Sequence, residues 1–173
     1  MLERVDPQLP CFIQAHSMGC LCTATFLINN PNVKIAGVIA GSPFWGFSDG
    51  HQIGRARRLI IKFLASFLEE LPINGSGSLH HLTHDMKYYV HECMGSIKTP
   101  ASYVSGGIVN SMMESTEDIH ANAKLYKKPT LCFIGGKEKI VQNGATKRFL
   151  QNCGVPKEDL KLRMYPNAYH NIH

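Results

Sequence analysis

Ala15-His16-Ser17-Met18-Gly19 is the stretch on which the fold turns. Before it stands Cys11-Phe12-Ile13-Gln14, a short apolar run after Pro10 that reads as a buried strand. After it, residues 20–29 carry a continuous apolar helix pattern, stopped by Asn29-Asn30-Pro31. Ile35-Ala36-Gly37-Val38-Ile39-Ala40 reads as a second buried strand, punctuated by Gly41-Ser42-Pro43. Strand, helix and strand in close succession predict a βαβ unit, hence a parallel sheet with a right-handed crossover. A Ser at the sharp turn between strand and helix is the setting of a nucleophile elbow. The turn wants small residues two before and two after the Ser, and Ala15 and Gly19 supply them. Such a turn lifts the Ser17 hydroxyl clear of the sheet. It also aims the Met18 backbone N–H, at a helix N-terminus, toward an oxyanion on a substrate. The plainer alternative is an ordinary turn in which Ser17 caps the helix.

Farther along, the α/β pattern pauses and then resumes. Residues 44–125 read as helical and loop-like, with an amphipathic helix over 53–71, a Gly75-Ser76-Gly77-Ser78 loop and a last helix near 117–125. Thr130-Leu131-Cys132-Phe133-Ile134 is a strand ended by Gly135-Gly136, and 142–152 fits a helix. Leu160-Lys161-Leu162-Arg163-Met164-Tyr165 alternates apolar and basic side chains as an edge strand does. The expected division is core over 1–43, a helical cap insertion over 44–125, and core again over 126–173.

Two further segments fit acyl-transfer chemistry. Tyr165-Pro166-Asn167-Ala168-Tyr169-His170 follows the last strand, so His170 falls at the carboxyl end of a parallel sheet, where sites assemble. A neutral imidazole there can take the Ser17 proton and return it to a leaving group. Nine histidines make a lone one uninformative; its place after the last strand is what singles out His170. An acid is expected after the preceding strand, in the chain order Ser, acid, His. Gly135-Gly136-Lys137-Glu138-Lys139 supplies Glu138, with Asp118 and Asp85 as the other acids to weigh. The alternative for Glu138 is a solvated side chain between two lysines. His80, His81, His84, Asp85 and His91 cluster in sequence, but they form no zinc-spaced motif and read better as a polar surface.

Composition narrows the class. The 173 residues suit one domain with an ordinary core, and 44% hydrophobic against 18% charged residues is a globular profile. A formal charge of +5 is mild, and no interleaved basic and aromatic face points to nucleic acid. The cationic stripe Arg55, Arg58 and Lys62 suits packing of a cap helix on the core, and also contact with a lipid surface. Cys11, Cys20, Cys22 and Cys132 lie in apolar runs and read as small buried thiols. With no secretory signal or membrane-length apolar run, the expected setting is reducing and cytoplasmic, peripheral to membranes at most.

Together these segments resemble the monoacylglycerol lipase and lysophospholipase group of the α/β-hydrolase superfamily, which includes serine aminopeptidase-like members. The resemblance rests on Ala15-His16-Ser17-Met18-Gly19, residues 35–43, residues 129–141 and Tyr165 to His170. It implies Ser17 as nucleophile, Glu138 as acid where the group more often has Asp, His170 as base, and Met18 N–H as oxyanion donor. It implies a lipid ester as substrate, a cap forming the acyl pocket, and neither metal nor organic cofactor. Family members carry several strands before the elbow, one loop of which gives a second oxyanion donor. Those strands have no counterpart here, so a truncated hydrolase is expected. An impaired homologue that binds without turnover and an aminopeptidase remain as alternatives.

Overall fold

The computed structural model describes residues 9–47, 60, 63, 72–74 and 103–172. Four strands form one parallel sheet: β1 (Phe12–His16), β2 (Gly37–Gly41), β5 (Thr130–Gly135) and β6 (Leu160–Tyr165), in the spatial order β1-β2-β5-β6. Among the described residues, helices α1 (Met18–Asn29), α2 (Gly106–Ala121) and α3 (Asn143–Asn152) accompany them. The register runs Ala15 beside Ala40, Ala40 beside Cys132, and Cys132 beside Leu162. Paired residues in a parallel sheet share a face, so these rows decide which side chains meet the helices.

One face carries Ile13, Ala15, Val38, Ala40, Thr130, Cys132 and Ile134, and packs into the core. Helix α1 answers it with Cys20, Leu21, Ala24, Leu27 and Ile28, the spacing of a single helical stripe. Asn30 ends that helix by donating its side-chain amide to the Phe26 carbonyl, and Pro31 follows. Helix α3 buries Ala145, Thr146, Phe149 and Leu150. Trp45 and Tyr126 pack around Phe149, with ring centroids at 4.4 and 5.4 Å. Their polar ends are satisfied: Trp45 Nε1 donates to the Cys20 carbonyl, and Tyr126 Oη lies 2.8 Å from Thr130 Oγ1.

Some boundaries differ from expectation. Strand β2 begins at Gly37 and not Ile35, because the Ala36 N–H turns to the Cys11 carbonyl before the ladder starts. Helix α2 begins at Gly106 and not near Glu117. Its first turn, Gly106-Gly107, hides the helical signal, yet Ser105 caps it by accepting the Ile108 N–H. Within the stretch expected to be helix and loop, β3 (Pro72–Asn74) pairs antiparallel with β4 (Tyr103–Ser105). Three-residue strands are too short to leave a period-two pattern.

Of the helix expected over 53–71, only Ile60 and Phe63 are described, both helical and exposed. The Gly75 to Ser78 loop, the cluster from His80 to His91, and Cys93 lie outside the described residues. Among the described cysteines, Cys20 and Cys132 are buried as expected, whereas Cys11 is half-buried and Cys22 is exposed. Cys22 sits on the solvent side of α1, because a run of apolar letters does not say which way each side chain turns. Burial pushes the Cys20 thiol up to about 12 and raises Cys132 as well, so both are unreactive at neutral pH.

Candidate active site

The site stands at the carboxyl rim of the sheet, where β1, β5 and β6 each release a loop. Ser17 occupies the single residue between β1 and α1, at φ 53° and ψ −121°. An L residue rarely adopts that conformation, and it persists only where the surroundings hold it. Here they do: Ser17 N–H donates to the Gly41 carbonyl at 2.9 Å, and the Ser17 carbonyl accepts from Cys20 and Phe44 N–H, each at 3.0 Å. The hydroxyl makes no cap bond to α1. It lies instead 2.9 Å from His170 Nε2.

His170 is 3% exposed, and its Nδ1 lies 2.8 Å from Glu138 Oε2. A carboxylate accepts, so Nδ1 carries the proton, Nε2 presents its lone pair, and Ser17 donates to it. Glu138 is itself aimed. Its Oε1 accepts the Ile140 and Val141 N–H groups at 2.7 and 3.2 Å, which turns Oε2 toward the imidazole. The side chain is 1% exposed. Burial alone would push this carboxyl up. Donation from the His170 N–H and from the N–H groups of Ile140 and Val141 outweighs burial and holds it below its ordinary value.

The loops are held by contacts that the residue types alone do not announce. Gly135 and Gly136 end β5 where the loop from β6 crosses it: Gly136 N–H donates to the Tyr165 carbonyl, and Lys137 N–H to the Ala168 carbonyl. A Cβ on Gly135 would run into the carbonyl oxygens of Tyr169 and Ala168. The acid loop is pinned by a bridge between Phe47 and Val141 and by Asn143 Nδ2, which donates to the Gly135 carbonyl. The His170 carbonyl accepts from Ser42 Oγ at 2.5 Å and from His16 Nε2 at 3.3 Å.

Ser17, Glu138 and His170 thus form one hydrogen-bonded chain, drawn from positions 121 and 32 residues apart by their own numbers. Asp118 is exposed and bonded to Asn122 on α2, away from this chain; Asp85 lies outside the described residues. Met18 N–H is the first amide of α1 and has no intrahelical acceptor. Beside it runs a groove of about 810 Å³ between α1 and α2, with Met18, Leu21, Phe26, Ile108 and Met112 among its lining. Among the described residues no three His, Cys, Asp or Glu side chains group as metal ligands, and no helix is long and apolar enough to cross a membrane.

The sequence model of one family, described as serine aminopeptidase, S33, matches residues 1–173. No curated protein matches the chain. Among solved structures, a monoacylglycerol lipase from Paleococcus ferrophilus superposes with a TM-score of 0.80 at 23% identity, over 94% of this chain and 61% of that one. A soluble variant of monoglyceride lipase from Saccharomyces cerevisiae, in complex with a substrate analogue, gives 0.75 at 24% identity, over 95% and 55%. A thermostable carboxyl esterase from Bacillus coagulans, in complex with glycerol, gives 0.67 at 15% identity, over 96% and 59%. At these identities the likeness is one of fold. The chain spans about 60% of the length of these structures.

Proposed function

This chain belongs to the serine aminopeptidase S33 family of α/β-hydrolases, and from that premise we propose that it cleaves a carboxylic ester of a lipid-like substrate through an acyl-enzyme. The observation that carries this reading is the chain from Ser17 Oγ through His170 to Glu138, built on a strained turn. Ser17 Oγ attacks the ester carbonyl carbon while its proton passes to His170 Nε2. The carbonyl electron pair moves onto oxygen, and the Met18 N–H faces the resulting anion. Glu138 keeps the imidazole in one tautomer and balances the imidazolium. Collapse of the adduct expels the alcohol, which takes the proton from Nε2. Water then repeats the attack on the acyl-serine and restores Ser17.

A lipid-like substrate, of the monoacylglycerol or lysophospholipid type, is supported by the apolar lining of the groove beside Met18. The cap role in this reading falls to the stretch of residues 44–125. It would also be the part that rests on a lipid surface. Free thiols at five described cysteines support a reducing, cytoplasmic setting.

The family description also invites hydrolysis at a peptide N-terminus. A carboxylate would then be needed to hold the ammonium, and none of the described groove residues is Asp or Glu. Binding without turnover is the third outcome. Labelling with a fluorophosphonate probe separates these classes: the folded chain is expected to label and Ser17→Ala is not. Equal signals from both would reject the hydrolase reading. Glycerol monoesters are expected to turn over where aminoacyl anilides do not, and the reverse would assign a peptidase.

A further inference from the structure

Ser42 stands one residue past β2, is 0% exposed and adopts φ 40°. Among the described residues it shares a positive φ, outside glycine, only with Ser17. A non-glycine residue held there is strained and persists when its neighbours require it. The backbone on both sides is committed. Gly41 accepts the Ser17 N–H, and Ser42 donates its own N–H to the Phe133 carbonyl of β5 at 2.8 Å. This conformation turns the Ser42 hydroxyl to the His170 carbonyl. His16, the last residue of β1, reaches the same carbonyl through Nε2, and its ring meets the His170 ring edge-on at 4.9 Å. Because a carbonyl only accepts, His16 Nε2 carries a proton.

His170 belongs to a loop, so no ladder positions its main chain. Its imidazole is fixed by Glu138 and Ser17, but those bonds set the ring only if the backbone behind it stays still. We propose that Ser42 and His16 are positioning residues that clamp the His170 carbonyl and so set the distance between imidazole and nucleophile. The clamp rests on the hydrolase reading above for its purpose, though not for its geometry. Its two donors come from the residue before Ser17 and from the residue after the one that accepts the Ser17 N–H. Any shift of the elbow therefore carries the base with it. Misplacement of a catalytic group by about 1 Å can cost on the order of 10²-fold in rate.

Ser42→Gly isolates the hydroxyl from the backbone, because glycine takes positive φ without steric cost. Two quantities are read on the 173-residue chain: the rate of fluorophosphonate labelling of Ser17, and the downfield NMR resonance of the His170 Nδ1 proton, assigned with His170→Gln. Ser42→Gly is expected to melt no lower than the parent, to label roughly 10- to 100-fold more slowly, and to broaden or shift the resonance. Its KM for a glycerol monoester should hold while kcat falls. His16→Leu and His16→Gln form an independent arm, with Gln, which keeps an N–H donor, retaining more activity than Leu. Labelling at the parent rate with an unmoved resonance in Ser42→Gly and His16→Leu would overturn the clamp. Lack of the downfield resonance in the parent would do the same. If the parent does not label at all, the hydrolase reading fails, and the resonance in the variants alone decides the clamp.

Discussion

Glu138 shows how far one side chain's chemistry depends on its neighbours. In sequence it lies between two lysines, like a solvated surface residue. In the fold its carboxylate accepts two backbone amides and an imidazole N–H. A native pKa below the unfolded one means that the unfolded chain binds the proton first as pH falls. The resulting stabilisation is complete above the unfolded value, about 4.3 for Glu, and is lost as pH drops through the lowered native value. Urea midpoints followed from about pH 6 to pH 3 should fall in the parent and flatten in Glu138→Gln; equal slopes would remove the carboxylate as the cause. The same substitution should cut kcat by roughly 10⁴-fold, as happens when an amide leaves the imidazole in the wrong tautomer. Steady-state turnover of a short-chain ester checks this, and a loss below tenfold would show that Glu138 does not orient the base.

At the level of elements, two glycines near the site carry opposite expectations. Gly19 lies in the first turn of α1, and a Cβ there would meet only the Ala15 Cβ, at an ordinary 3.9 Å. The requirement for a very small residue two past Ser17 is therefore looser at this turn than the motif suggests. Gly19→Ala should fold, and should raise stability by about 0.5–1 kcal/mol through helix propensity; a lowered melting temperature would show that the elbow does need Gly. Gly135 is the reverse. Its added Cβ would strike main-chain oxygens of the loop that carries His170, which cannot swing aside as a side chain can. Gly135→Ala should cost about 1–3 kcal/mol and slow labelling of Ser17 in the same variant. Loss of stability with unchanged labelling of the folded fraction would mean that the loop moves without carrying the imidazole. Both glycines were visible as letters at element ends, but only the crossing of β5 by the loop after β6 distinguishes them.

At the scale of the molecule, the described residues cover one side of the sheet more fully than the other. Among the described residues β1 pairs with β2 only, and Phe12 on β1 is 60% exposed. The less covered face holds Gln14, His16, Ile39, Phe133 and Tyr165 around a cleft of about 610 Å³. Parallel sheets are ordinarily buried on both faces, and an open apolar edge invites pairing between chains. Phe12→Lys should therefore reduce concentration-dependent association, measured by light scattering, without lowering the labelling rate of Ser17; unchanged scattering would exclude β1 as the sticky edge. The sequence by itself determined the order of the four sheet strands and of helices α1 and α3, the parallel sense of the sheet, and the residue types able to transfer a proton. Those follow from local periodicity, turn chemistry and side-chain chemistry, each carried within a few consecutive residues. The tertiary structure alone decided that Glu138 and not Asp118 faces His170, that Ser42 and His16 share one carbonyl, and that Cys22 is exposed. Such facts are distances between segments far apart in the chain, and they exist only once the sheet has set which strands lie side by side.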